Sequence, residues 1–215
     1  MAINLFGYWR SSCTWRVRLV LAYKGLAYNV HPVHLLEGGG EQHQPAHLEK
    51  NPLGQVPALE HNGLTLSQSL PIMLYLEERF TSPSVLPSTG SQRYHALEIA
   101  EAINSGTQPL QNLEVMQRLS RDFELSKEQA RKFAAAYIEK GLRGTKKLIR
   151  RSRGTYCVGD TFSVADACLI PQLYNTRRFD LDLDMFPVIL EIETALSKLE
   201  ILDSAHPDRQ PDAVL

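Results

Sequence analysis

The chain is poor in cysteine, has no long apolar run and carries almost no charge imbalance. Its three cysteines, Cys13, Cys157 and Cys168, form no Cys-x-x-Cys pair and no even framework. That excludes a disulfide-stapled secreted scaffold and points to a reducing compartment. No apolar stretch approaches the roughly 20 residues that span a bilayer. The start, Met1-Ala2-Ile3-Asn4-Leu5, passes straight into a strand pattern without a signal-peptide layout. A cytoplasmic protein with no membrane partner is therefore expected. The formal net charge is −1, so the overall field gives no reason to expect nucleic acid. Internal repeats are absent as well.

Two local features invite a sharper reading and do not sustain it. Lys140 to Arg153 holds seven basic residues and no acid. These residues interleave with Leu142, Leu148 and Ile149, as on the solvated face of an amphipathic helix. Asp180, Asp182, Asp184, Glu191 and Glu193 are available to balance them. His43 and His47 stand i, i+4, a spacing that suits a metal. No third ligand accompanies them, and the glycine-rich context reads as a surface loop, so no metal is expected.

What is present is a chain of 215 residues, 43% hydrophobic, with two different periodicities. Up to about residue 82, strand and helix patterns alternate. Asn4 to Tyr8 reads as a strand and Ser12 to Lys24 as a helix stopped by Gly25. Tyr28 to Val33 reads as a second strand and Gly38-Gly39-Gly40 as a flexible loop. Gln44 to Lys50 reads as one or two helical turns. Ala58–His61 and Leu64–Leu66 flank Asn62-Gly63, a strong hairpin signal. Ser69 opens a helix through Phe80, with Pro71 tolerated in its first turn. Thr81 to Ser84 and Pro87 to Gly90 read as a linker. From Gln92 onward only helical periods recur, at about 92–105, 112–119, 126–151, 164–178 and 187–198. The expected architecture is an α/β domain over 1–82, ordered βαβαββα with a mixed four-stranded sheet, followed by an all-α domain over 91–215.

The segment Arg10-Ser11-Ser12-Cys13-Thr14-Trp15-Arg16-Val17-Arg18 carries the chemistry. It lies where the first strand turns into the first helix. The first N–H groups of a helix lack internal partners and the helix dipole is positive there. Two hydroxyls and a thiol at such a place form a site for an anion, and a thiolate is an anion. From the residues alone, one serine is also expected to cap the helix. Gln68-Ser69 before an apolar helical run reads as an ordinary serine N-cap. Val56-Pro57 reads as a proline at a strand start, ordinarily trans. Ser163-Val164-Ala165-Asp166 reads as a capping box that starts a buried helix.

Taken together these strings resemble the zeta class of glutathione transferases, the class that includes maleylacetoacetate isomerase. The resemblance rests on Ser11–Arg18, Asn51-Pro52-Leu53-Gly54-Gln55-Val56-Pro57 and Gln68-Ser69. It continues through Gln108–Leu113, Tyr156-Cys157-Val158-Gly159-Asp160 and His206–Asp212. It implies a thioredoxin-like first domain, a cis Val56-Pro57 bond, glutathione as cofactor and a homodimer. It also implies that Val56 pairs with the cysteinyl part of glutathione and that Gln68 and Ser69 hold its γ-glutamyl carboxylate. Gln42, Gln108 and Asn112 match further glutathione contacts. Ser11, then Ser12, is expected to donate to the thiolate, with Cys13 as its neighbour.

The implied reaction is isomerisation of maleylacetoacetate to fumarylacetoacetate in tyrosine and phenylalanine breakdown. A thiolate adds to a double bond conjugated to carbonyls, the resulting single bond rotates, and expulsion of the thiolate regenerates glutathione. The substrate is a small dicarboxylate, so the pocket needs cations or N–H donors. Arg178 matches a substrate-side arginine, Gln111 a pocket residue, and Arg10 and Arg16 flank the thiolate end. A maleylpyruvate isomerase and a non-catalytic glutathione-binding protein of the same fold are the alternatives.

Overall fold

A computed structural model describes residues 2–87 and 90–214. Met1, Leu215 and the linker residues Ser88 and Thr89 lie outside the described residues. The chain divides into two compact units: Met1–Val85 with Leu199–Leu215, and Leu86–Lys198. The last segment groups differently from the expectation, which placed 199–215 with the all-α domain. Its side chains and backbone bond to the first unit, as described below.

The first unit has the βαβαββα order read from the sequence. It begins with β1 (Ile3–Gly7), α1 (Ser12–Tyr23) and β2 (Tyr28–Pro32). After two 3-10 turns come α2 (Pro45–Leu48), β3 (Ala58–His61), β4 (Leu64–Ser67) and α3 (Ser69–Arg79). The four strands lie in the order β2-β1-β3-β4. β1 runs parallel to β2, with Leu5 opposite Val30, and antiparallel to β3, with Leu5 opposite Leu59. α1 packs on α3. Val17, Leu21, Ile72, Met73 and Leu76 are buried with Ile3, Leu5 and Leu59 of the sheet. Burying side chains of this size is worth about 1.5–3 kcal/mol each.

Local chemistry places the element ends. Gly25 adopts φ 64°, and the Leu26 and Gly25 amides donate to the carbonyls of Leu21 and Ala22. This is the Schellman arrangement that glycine permits. Asn62 and Gly63 both have positive φ, 51° and 79°, as a tight hairpin turn requires. Gly7 ends β1 beneath α1, where an added Cβ would lie 2.3 Å from Thr14 Cγ2. The strand can approach the helix start only without a side chain there. Two expectations need correction. Gly38–Gly40, expected as a flexible loop, forms part of a 3-10 turn and its exit. Ser69 is the first residue of α3, and Gln68 takes the N-cap position at φ 71°, with no side-chain cap.

The second unit contains α4 (Gly90–Asn104), a 3-10 turn at Gln108–Gln111, α5 (Leu113–Asp122), α6 (Lys127–Ser152), α7 (Val164–Arg178) and α8 (Pro187–Leu196). α4 packs against α6 and α7. α7 is buried almost all round, polar Asp166, Gln172, Asn175 and Thr176 included, as befits a central helix. The Ser163–Asp166 capping box forms as read: Ser163 N–H and Oγ–H both donate to Asp166 Oδ2. Cys157 N–H donates to Asp166 Oδ1 at 2.9 Å. Burial pushes the Asp166 carboxyl up, against these bonds, and burial likewise pushes the Cys157 thiol well up. Cys157 is therefore an inert interior thiol. The basic run lies on α6 with Leu142, Thr145 and Ile149 buried beneath it. Arg153 pairs with Glu191 at 2.8 Å and Arg143 with Glu139 at 2.6 Å.

In the first unit, α9 (Ile201–Ser204) and a 3-10 turn at Pro207–Arg209 complete the chain. The sequence reading did not separate these short elements.

Candidate active site

β1 ends at Gly7 and a tight turn follows: the Ser11 amide donates to the Tyr8 carbonyl at 3.0 Å. The turn delivers Ser11 to the N-cap of α1. There its Oγ accepts from the Thr14 amide at 3.2 Å. A hydroxyl has one donor and two acceptor sites, so capping uses a lone pair and leaves the O–H for an anion. The first turn of α1 contains no acidic residue to compete with one. Ser11 and Cys13 are partly exposed, whereas Ser12 is buried at 6% exposure. Ser11 is thus both the helix cap and the accessible hydroxyl. Cys13 is partly exposed in the first turn of α1, and Ser12 is buried.

The Val56–Pro57 bond is cis. The preceding peptide is held from two sides. His47 Nε2–H donates to the Gln55 carbonyl at 2.8 Å, and Asn51 Nδ2–H donates to the same oxygen at 2.7 Å. Asn51 Oδ1 in turn accepts from the Leu53 amide at 3.1 Å. His47 is buried, not part of a surface loop as expected, because its ring is spent on this peptide. Among the described residues no cluster of His, Cys, Asp or Glu is arranged to hold a metal.

Gln55 Oε1 accepts from Gln68 Nε2 at 3.4 Å, so the segments before β3 and before α3 meet. Ser69 is 2% exposed, and its hydroxyl accepts from Arg16 Nη1 at 3.2 Å. This corrects the expected place of Arg16. The guanidinium is fully buried behind the start of α3 and is not presented to a substrate. It adds a cation to a helix start that has no acid in its first turn. Gln42 is buried in its 3-10 turn, where its amide donates to the Leu35 carbonyl at 3.3 Å. Arg10 is partly exposed, with its guanidinium 5.2 Å from the centre of the Trp9 ring.

The remaining candidates belong to the second unit. Gln108 and Gln111 are buried in the 3-10 turn. Gln108 Nε2 donates to Asn112 Oδ1, and Gln111 Nε2 donates to Gln172 Oε1 of α7 at 2.6 Å. Arg178 is exposed at the end of α7, with Nη1 donating to Asn175 Oδ1 at 3.3 Å.

His47, Asn51, Arg18 and Asp212 escaped selection as site residues from sequence. All but His47 lie inside the strings that carry the resemblance, which was the available signal.

Comparison with known proteins gives the same frame. Residues 1–78 match the glutathione S-transferase N-terminal domain family. The chain is 44% identical to a probable maleylacetoacetate isomerase 2 of Drosophila melanogaster, over 97% of this chain and 89% of that protein. The chain belongs to the maleylacetoacetate isomerase, or zeta, class of glutathione transferases. A maleylacetoacetate isomerase from Anaeromyxobacter dehalogenans, solved with dicarboxyethyl glutathione and citrate in its active site, is 43% identical to this class member. Its TM-score is 0.88, with 100% of this chain and 98% of that chain covered. A holo maleyl pyruvate isomerase, described as a bacterial zeta-class transferase, has TM-score 0.93 at 31% identity and covers 98% of this chain and 100% of its own.

Proposed function

We propose that this protein is a glutathione-dependent cis–trans isomerase that converts maleylacetoacetate to fumarylacetoacetate and also has glutathione transferase activity. The observation that carries it is Ser11: it caps α1 through a lone pair and keeps its O–H for an anion at a helix start free of acids. When bound, glutathione supplies a thiolate that adds reversibly to the conjugated double bond and so permits rotation about it. Ser11 and the first amides of α1 favour that thiolate over the thiol, whose ordinary pKa is about 8.5. The Val56 backbone, presented by the cis bond, pairs with the cysteinyl part. Gln68, Ser69 and the start of α3 receive the γ-glutamyl carboxylate, with Arg16 behind Ser69 adding positive charge. Gln42, Gln108 and Asn112 make further glutathione contacts. Arg10, Arg178 and Gln111 receive the dicarboxylate substrate.

A relative with dicarboxyethyl glutathione in its active site supports this reading. A dicarboxyethyl group on sulfur is what thiol addition to a four-carbon unsaturated diacid leaves. The proposal extends to a role in tyrosine and phenylalanine breakdown, a cytoplasmic location and a homodimer. It assigns most of the glutathione contacts to the first unit, and most of the substrate contacts and dimerisation to the second. The likeness in fold to a maleyl pyruvate isomerase favours maleylpyruvate as the second substrate to test. Purified protein with glutathione is mixed with each maleyl compound, and loss of the enol absorbance is followed. Faster turnover of maleylacetoacetate is expected. Turnover of neither substrate refutes the isomerase reading, and light scattering tests the dimer.

A further inference from the structure

The turn that delivers Ser11 is held by the far end of the chain. The Trp9 amide donates to Asp212 Oδ2 at 2.9 Å. The Trp9 carbonyl accepts from Arg18 Nη2 at 2.8 Å, and Arg18 Nε donates to the Ala205 carbonyl at 3.2 Å. Trp9 is the first central residue of the Tyr8–Ser11 turn. Its N–H belongs to the peptide before it and its C=O to the peptide after it. Fixing both planes fixes φ and ψ of Trp9, and with them where the chain enters α1.

The tail that supplies Asp212 is itself built. His206 packs edge-on against Trp15, with ring centres 5.3 Å apart. Gln210 Nε2 donates to the carbonyls of His206 at 2.8 Å and Ser204 at 3.3 Å. His206 Nδ1 accepts from the Asp208 amide at 3.3 Å. Arg18 is 2% exposed. Burial draws its pKa down to about 10, while Tyr28 and Asp212 oppose the fall, so it remains a cation at neutral pH. Among the described residues, the charged and titratable groups around this clamp include Arg18 from α1, Arg10 over the Trp9 ring, Tyr28 from β2, and Asp212, His206 and Asp208 from the tail.

We propose that Asp212 and Arg18 are positioning residues for the reaction assigned above: together they clamp the Trp9 peptide and thereby aim the Ser11 hydroxyl at the sulfur of bound glutathione. The inference rests on that functional reading. Its physical warrant is that a donor must be held within about half an ångström of its productive place by supporting bonds. Misplacement of about 1 Å can cost up to roughly a hundredfold in rate. Neither residue need touch glutathione or substrate.

The test uses full-length Asp212→Ala and Asp212→Asn proteins. Asparagine keeps an oxygen to accept from the Trp9 amide, and alanine does not. Three quantities are read: the ultraviolet thiolate absorbance of bound glutathione against pH, kcat and KM for turnover, and the melting temperature. Asp212→Ala is expected to move the thiolate titration to higher pH and to lower kcat at neutral pH about tenfold. KM for glutathione should change less than about threefold, because the proposed cysteinyl and γ-glutamyl clamps lie elsewhere. Asp212→Asn is expected to restore both quantities toward wild type. A wild-type titration and kcat in Asp212→Ala, with only a lower melting temperature, would overturn the proposal. So would a loss in Asp212→Asn equal to that in Asp212→Ala. Should Asp212→Ala not fold, Asp212→Ser, whose side chain is too short to span to Trp9, is read on the same scale. Wild-type protein that binds glutathione yet turns over neither substrate defeats the isomerase reading alone, and the thiolate titration still decides this one.

Discussion

Arg16 Nη1 donates to Ser69 Oγ at 3.2 Å in the buried interior of the first unit. The bond joins the second turn of α1 to the first residue of α3 and so links the two helices whose starts are assigned to the sulfur and to the γ-glutamyl carboxylate of glutathione. One side chain therefore supports both ends of the proposed cofactor site. Arg16→Met removes a charged hydrogen bond worth about 1.5–3 kcal/mol. Calorimetric titration should show glutathione binding weakened by roughly tenfold or more. The melting temperature checks that the variant is folded.

Ser11 has two duties, and two substitutions separate them. Ser11→Ala removes cap and donor together and should cost about 1 kcal/mol of stability. Ser11→Gly removes the donor while sacrificing only a few tenths of a kcal/mol of capping. Both variants should lose isomerase activity by about a hundredfold if the hydroxyl holds the thiolate. Full activity in Ser11→Gly would move the assignment to Cys13 or to the helix amides.

Lys24 is a hub beneath the first unit. Its buried ammonium donates to Glu77 Oε2 at 2.7 Å and to the carbonyls of Phe80 at 2.6 Å and Pro83 at 2.8 Å. Glu77 Oε2 also accepts from the Val85 amide at 3.0 Å. Lys24→Met leaves a carboxylate and two carbonyls without their cation. Chemical denaturation should report a loss of about 3 kcal/mol.

Asp160 offers a pH test. The Thr155 hydroxyl, then the Thr155 amide, holds its carboxyl below the ordinary range. As pH falls, the unfolded chain takes up this proton before the folded chain does. The contribution is therefore complete above the unfolded pKa near 3.8 and is lost as pH falls through the lower folded value. Asp160→Asn should flatten the acid side of a melting-temperature profile relative to wild type and leave its neutral side nearly parallel.

Gly141 lies in the middle of α6, where an added Cβ would sit 2.1 Å from Thr107 Oγ1. Thr107 is buried and its hydroxyl donates to the Ala102 carbonyl at 3.1 Å. Gly141→Ala raises helix propensity by about 1 kcal/mol. It should nevertheless lower the melting temperature, because Thr107 must give up its place. Gly141→Ala with Thr107→Ala removes the Oγ1 and Cγ2 atoms that lie 2.1 Å and 2.7 Å from the added Cβ and should recover part of the loss.

Much of this protein follows from local chemistry. Period-2 and period-3.6 patterns named the strands and long helices because a half-buried element must place its apolar groups on one face. Asn62-Gly63, Gly25 and the Ser163–Asp166 box marked a turn, a stop and a start because few residues satisfy those backbone demands. The string around Ser11 placed hydroxyls and a thiol at a helix start, and that alone led to the proposal of an anion site. Contacts between distant segments were decided by the tertiary structure. Arg16 reads as a candidate for the pocket until the packing of α1 on α3 buries it behind Ser69. His47 reads as a surface residue until its ring meets Gln55. Asp212 lies 203 positions from Trp9, and hydrophobic periodicity fixes which face an element buries without saying which polar group of another segment will be waiting there. Unpaired buried polar groups are costly, so the fold had to supply each of these partners, and only the closed chain shows which residue it used.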